Sequence, residues 1–181
     1  MKKKVIKTTP FGPVCILWSE VDSITKIARI IISTPGLSAI DQAAKLYRDL
    51  QEGSCTEIDT VATGIKSFLD GENITFFLDI TDLGLCSCFQ RSVLCADHRI
   101  QRGDISTYSQ IATSLGIEKG ARAVGNALAK NPFPIIMPCH RVIRSDRHLG
   151  GYRGGLYMKR TLLEKEGVVF DKAGRVTQLS L

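Results

Sequence analysis

Apolar positions in the first part of the chain fall into dense runs and periodic stripes. Residues 14–18 (VCILW) and 26–34 (KIARIIIST) are rich in branched apolar side chains and predict strands, the second ending at Thr34-Pro35-Gly36. In 38–50, Ser38 and Asp41 stand at capping-box spacing. Ile40, Ala43, Ala44, Tyr47 and Leu50 then follow along one face, which predicts a helix. A second helix is expected over 60–71, stopped by Gly71, and a third strand over 73–80 (NITFFLDI). Together these elements predict a small α/β domain whose polar residues form no pattern suggestive of a site.

The texture turns helical and basic around Asp82–Cys88, so domains are expected over 1–85 and 86–181. In 89–100, Phe89, Val93, Ala96 and Ile100 share one face of a core-facing helix. Thr107 and Gln110 form a capping box, Ile111, Ala112 and Leu115 a buried stripe, and Gly116 a stop. A second helix follows from about Lys119 to Lys130, giving a helix-turn-helix over about 108–130. That helix is made of small residues (Gly120, Ala121, Ala123, Gly125, Ala127, Ala129) around one long cation near its start, Arg122. So smooth a surface suits either close packing on a neighbouring helix or shape recognition in a minor groove, with Arg122 as an inserted finger. Tyr108, just before the first helix, is placed to press on a nucleic-acid backbone or to fill the core.

Composition narrows the class. The 181 residues are 44% hydrophobic and 23% charged, as in a soluble globular protein. No apolar run approaches the ~20 residues that cross a bilayer. The start, MKKKVIKTTP, is basic but has no apolar stretch behind it, so no secretory signal is expected. These features predict a cytoplasmic protein, nuclear if the host is a eukaryote, with no membrane partner. Its six cysteines (15, 55, 86, 88, 95, 139) are then thiols rather than disulfides. The net charge of +6 is unevenly spread: residues 1–88 hold 9 Lys/Arg against 11 Asp/Glu, and 89–181 hold 15 against 7. A basic second half is the footprint of a polyanion partner, or simply a solvated face.

The stretch 131–145, NPFPIIMPCHRVIRS, sets Cys139, His140 and Arg141 in a row after a proline-punctuated apolar run. A thiol beside a base is the arrangement of an activated nucleophile, because the thiolate is the reactive form. The alternative is a small core residue. Glu166 falls three and four residues after Leu163 and Leu162, at a helix end closed by Gly167. The macrodipole disfavours a negative charge there, so a carboxylate at this place needs a partner, the alternative being a frayed surface residue.

The segments ISTYSQIA, ARAVGNAL, NPFPIIMPCHRVI and GGYRGGLYMKRTLLEKEG, from about Phe89 to Gly167, resemble the O6-alkylguanine-DNA alkyltransferase family. The first half resembles it loosely, through TPFGP (9–13). The resemblance implies an RNase H-like N-terminal support domain and a mainly α, winged helix-turn-helix C-terminal domain with its active-site motif at 138–142. It implies direct DNA repair: irreversible transfer of one alkyl group from O6-alkylguanine to Cys139, the base being flipped through minor-groove binding. His140 would act on the thiol through a bridging water, Glu166 would orient it, and Asn131 would buttress the turn leading to the motif. Ala121, Ala123 and Gly125 would lie on DNA, Arg122 would fill the gap left by the base, and Tyr108 would hydrogen-bond the flipped guanine. Pro134, Tyr152, Leu128, Val142 and Arg153 would line or read the pocket. Residues 144–155 would form the wing. The implied partner is double-stranded DNA carrying the lesion, the implied protein is a monomer, and no cofactor is required.

Three positions depart from the usual family pattern: Gln101, Met137 and Arg153, the last long where some members carry a small side chain. A DNA-binding regulator or lesion sensor remains the rival class, although sensors of that kind replace the cysteine that is intact here. Cys86, Cys88, Cys95 and His98 are metal-ligand types, but Cys86-x-Cys88 is tighter than common zinc pairs and the other two sit on a predicted helix. No metal is expected.

Overall fold

The densest apolar run becomes the middle of a sheet. In the computed structural model, which describes residues 1–177, β2 (Val14–Val21) lies between β1 (Lys2–Ile6) and β3 (Ile24–Ile32), antiparallel to both. A short β4 (Gln51–Glu52) pairs parallel with β1, giving a mixed sheet of order β3-β2-β1-β4. Val14 to Trp18 are 2% exposed or less, so β2 is covered on both faces and reads as an unbroken apolar run rather than an alternation. Asp22 and Ser23, both at positive φ, make the two-residue turn into β3, where paired left-handed residues match the strand twist. β1 has no counterpart in the sequence reading because Lys2, Lys3 and Lys4 interrupt its apolar pattern. Their ammonium groups lie on the rim and pair with Glu20, Glu52 and Asp59.

Helix α1 (Ala39–Leu46) starts at Ser38, whose side chain accepts from Asp41 N. It buries Ala39 and Ala43 against Cys15, Leu17 and Ile31, with Tyr47 and Leu50 packing beyond its end. Ile40 and Ala44, expected on the buried face, are exposed, and the helix stops four residues before the predicted end. Helix α2 (Thr56–Asp70) begins earlier than expected and ends at Gly71, φ 111.

The strand predicted over 73–80 does not form. Ile74, Phe76, Leu78 and Ile80 are half-buried and alternate with exposed residues, so the period of two is real. Phe76, however, meets Phe68 of α2 edge-on at 6.0 Å instead of joining the sheet. A 3-10 turn at Leu78–Ile80 and a single bridge from Thr81 to Ile27 follow. Alternation reports a half-buried extended chain; a strand also requires its backbone to pair along a sheet edge, and here, among the described residues, only the Thr81–Ile27 bridge does so.

The chain divides into two units, one of Met1–Leu85 plus Pro132–Ile136 and the other of the remaining residues. The segment 132–136 is thus grouped with the first unit, where Ile30 N donates to Pro132 O at 2.7 Å. Positions 178–181 of the second expected domain lie outside the described residues.

The second unit is mainly helical: α3 (Cys88–His98), α4 (Tyr108–Ser114), α5 (Ala121–Ala129) and α6 (Gly155–Lys165). Ser87 caps α3, and Thr107 with Gln110 completes the predicted capping box on α4. Gly116 (φ 71) and Lys119 (φ 55) turn the chain from α4 into α5. The Gln90 side chain ties α3 to the end of α5 by donating to Ala127 O and Lys130 O, which satisfies carbonyls the helix end leaves open. A two-stranded parallel pair, β5 (Ser106–Thr107) with β6 (Val142–Ile143), joins the start of α4 to the chain leaving Cys139.

The buried face of α3 differs from the expected stripe. Val93, Leu94 and Asp97 are fully enclosed, Phe89 is exposed, and Ala96 and Ile100 are intermediate. Leu115, expected in the stripe of α4, is only half-buried.

Candidate active site

Pro138 leads into a 3-10 turn at Cys139–Arg141, which passes directly into β6. The turn is closed by Arg141 N donating to Pro138 O at 2.8 Å. It leaves Cys139 half-buried while enclosing His140 and Arg141.

Asn131 follows the end of α5 and is buried, and its amide donates to Met137 O and to Cys139 Sγ, both at 3.3 Å. It therefore touches the sulfur itself besides bracing the turn. His140 Nε2 stands 3.0 Å from Glu166 Oε1. Arg141 forks onto the same carboxylate, Nε to Oε2 at 2.9 Å and Nη2 to Oε1 at 2.8 Å, and gives Nη1 to Ile100 O. Glu166 caps the C-terminus of α6 before Gly167 at φ 91. The partner that its position demanded is thus double: an imidazole and a guanidinium.

The electrostatics follow from this geometry. Burial alone would raise the Glu166 carboxyl, but hydrogen bonds from His140 and Arg141 outweigh it and hold the group at about 2. Burial pushes the His140 imidazole below its ordinary value, against the pull of Glu166. It is neutral at pH 7, with Nε2–H donated to the carboxylate. Burial also pushes the Cys139 thiol up to about 12, Asp97 adding to the rise, while Asn131, Lys159 and Arg153 oppose it. A thiol so raised is protonated at neutral pH, and the thiolate is the reactive form.

Around this centre, Tyr152 is half-buried with its hydroxyl enclosed and, among the described residues, without a hydrogen-bond partner, its ring 6.4 Å from that of His140 at 77°. Leu128 and Val142 are buried. Arg153 is exposed and sends Nη2 to Ala129 O at 2.9 Å, strapping the 150s loop to the end of α5. Tyr108 lies between two glycines: a Cβ on Gly125 would meet its ring at 3.8 Å, and one on Gly150 would meet its hydroxyl at 3.0 Å. On α5 the buried residues are Val124, Ala127 and Leu128. Arg122 and Ala123 are exposed, and Ala121 and Gly125 are half-exposed. Pro134 falls in the segment grouped with the first unit and is buried.

The structure thus brings Asn131, Cys139, His140 and Glu166 together, with Tyr152 beside His140. Sequence reasoning gave no role to Lys159, which is fully buried and donates to Val142 O, Leu149 O and Gly151 O. Its signal was its place on the apolar stripe of Met158, Leu162 and Leu163. Among the described residues, no group of three or more His, Cys, Asp or Glu side chains is arranged to hold a metal ion. Among them, too, no helix is long and apolar enough to cross a membrane.

A small mixed sheet with helices, together with a mainly helical unit, is the architecture of solved O6-methylguanine methyltransferases. The Mycobacterium tuberculosis O6-methylguanine methyltransferase superposes with a TM-score of 0.72 at 27% identity, covering 98% of this chain and 96% of that one. The same organism's OGT in complex with DNA gives 0.69 at 29% identity, with 92% of each chain covered. In sequence, a methylated-DNA–protein-cysteine methyltransferase of Methanothermobacter thermautotrophicus is 46% identical over 114 residues, 63% of this chain and 64% of that protein. The matched stretch spans about half to two thirds of the curated relatives, 49% of the Haemophilus influenzae protein of the same name. Residues 88–168 match the model of the 6-O-methylguanine DNA methyltransferase DNA-binding domain.

Proposed function

We propose that the protein repairs O6-alkylguanine in double-stranded DNA by moving the alkyl group irreversibly to Cys139. The observation that carries this reading is the buried assembly behind the sulfur: Asn131 on Sγ, and His140 held by the Glu166–Arg141 pair. It provides a proton acceptor, His140, that would take the thiol proton through a bridging water and is oriented by a carboxylate that stays ionised.

In the reaction, Cys139 gives its proton toward His140, and Sγ attacks the alkyl carbon in line with O6. The S–C bond forms as the C–O bond breaks. Guanine leaves with the bonding pair and regains a proton, so the products are a thioether and an ordinary guanine. A thioether is a poor leaving group, so each chain acts once. Glu166 and Asn131 position these groups without being consumed.

The same reading makes the second unit a winged helix-turn-helix, with α4 and α5 as the helix pair and 144–155 as the wing, and the first unit an RNase H-like support. α5 would lie in the minor groove through Ala121, Ala123 and Gly125, with Arg122 replacing the extruded base. Tyr108, Leu128, Val142, Tyr152 and Arg153 of the second unit would form the base pocket. The exposure of Arg122 and Ala123, and the basic exposed stretch at Arg144, Arg147 and His148, support this placement. We take the working form to be a monomer in a reducing compartment, where six thiols persist.

The test is a mass spectrum after incubation with a duplex oligonucleotide containing one O6-methylguanine. One methyl group per chain, mapped to Cys139 and absent in Cys139→Ala, is the expected result. No gain while the duplex stays bound would instead define a lesion sensor.

A further inference from the structure

Asp97 has no place in the chemistry above, yet it lies at the heart of the same unit. It sits on α3 one turn beyond Val93 and Leu94 and is fully buried. Among the described residues, neither carboxylate oxygen has a hydrogen-bond partner. A bare carboxylate in such surroundings is strongly unfavourable, so the group keeps its proton or finds a countercharge.

α3 packs against α4, α5 and the Cys139–Arg141 turn. The turn presents Cys139, His140 and Arg141, and α4 presents Tyr108. Titratable groups from α5 and its end, Arg122 and Lys130, are exposed. Lys159 on α6 and Tyr152 also act on the site, and α3 itself carries Arg91, Cys95, His98 and Arg99. Only Arg141 and Lys159 are buried cations among these. Arg141 is balanced by Glu166 at 2.8 Å. Lys159 holds three carbonyl oxygens and, among the described residues, has no carboxylate at ion-pair distance. One buried positive charge is therefore unmatched, and both the Asp97 carboxyl and the Cys139 thiol feel its field.

We propose that Asp97 and Cys139 are alternative anions for the buried charge of Lys159, so that Asp97 must keep its proton for Cys139 to lose its own. Asp97 is then a positioning residue that acts through the electric field and touches no substrate. Burial pushes its carboxyl up to about 8, against Arg141 and Lys159, and pulls the Lys159 ammonium down to about 8. Below that range Asp97 is a neutral acid, and Lys159 is left for the thiolate. Above it the Asp97 carboxylate forms while Lys159 begins to give up its own proton, so the thiol faces a negative charge with less countercharge and is held protonated. The coupling is a property of the sulfur; only its consequence for repair rests on the alkyl-transfer reading.

The test compares the full-length protein with Asp97→Asn, a permanently neutral mimic of the acid. Iodoacetamide alkylation of Cys139 is followed by peptide mass spectrometry from about pH 6.5 to 9.5, with exposed Cys88 as the reference in the same sample. The variant-to-wild-type rate ratio at Cys139 should be near one at the acid end. It should rise to about fivefold or more at the alkaline end, since a shift of one pKa unit is tenfold in thiolate. Cys88 should not respond. A ratio independent of pH overturns the proposal. Asp97→Leu, which removes the polar atoms altogether, should show the same trend and serves if Asn folds poorly. Methyl transfer from the O6-methylguanine duplex is measured in parallel. A rising alkylation ratio without transfer would sink the repair reading and leave the coupling standing. Transfer with a flat ratio would do the reverse.

Discussion

Glu166 is the residue on which the site's charge balance turns. Its carboxylate faces a guanidinium and an imidazole in a dry interior, where removing one partner of an ion pair costs far more than the pair contributes net. Glu166→Gln should therefore lose about 3 kcal/mol of folding stability at pH 7, because Arg141 stays buried without its anion. The sign of the pH dependence follows from the depressed carboxyl, about 2 folded against an ordinary 4.5. Its contribution is fully present above about 4.5 and is lost progressively as pH falls toward 2. Denaturant unfolding of both proteins at neutral and acid pH should show the gap narrowing on the acid side. A gap of constant size would mean that shape, not charge, is what Gln fails to supply. At this scale the sequence was informative where chemistry is local. Cys139 and His140 are neighbours, and Glu166 announced itself by an unfavourable place at a helix end. The bond from Asn131 to the sulfur was not legible, since it depends on how residues 132–138 loop back.

Among the elements, α5 carries the sharpest structural argument. Its buried residues are Val124, Ala127 and Leu128, so small side chains serve the core on one side and leave a low surface with Arg122 on the other. Close packing thus uses one face of the smooth helix, while the other face is exposed. If Arg122 replaces an extruded base, it matters only when a duplex has to be opened. Arg122→Ala should slow methyl transfer from duplex O6-methylguanine by at least about tenfold, since extrusion costs a few kcal/mol, while reaction with the free alkylated base changes little. Equal losses on both substrates, compared by single-turnover kinetics, would remove the flipping role. α3 shows why helical faces are harder to read than helices. The stripe through Phe89, Val93, Ala96 and Ile100 and the true one through Val93, Leu94 and Asp97 differ by a fraction of a turn. Apolarity points to the first, and only packing reveals that a carboxyl lies on the second. The segment 73–80 teaches the same lesson for strands: its alternation was right and its hydrogen bonding was not.

Across the whole molecule, charge separates the two halves of the chain more clearly than hydropathy does. The excess of 15 Lys/Arg over 7 Asp/Glu after residue 88 is not consumed by structure, for Arg122, Lys130, Arg144 and Arg147 all remain exposed. Arg144 is partly committed to Asp146 at 2.8 Å, an exposed pair that contributes little to stability and yields readily to a phosphate. Binding that neutralises phosphates releases condensed counterions, and log K then falls by about 0.9 per contact for each unit rise in log salt. Affinity for undamaged duplex, followed by fluorescence anisotropy between about 50 and 200 mM salt, should fall with a slope of about −3. Replacing Arg144 and Arg147 together by Gln should bring that slope closer to zero by about 2, while methyl transfer at saturating DNA stays unchanged because neither residue touches the sulfur's network. An unchanged slope would place the phosphates elsewhere and leave the 144–155 loop without a part in DNA binding. A wild-type slope near zero would go further, because the basic half would then be only a solvated face and recognition would have to come from the smooth surface of α5 alone.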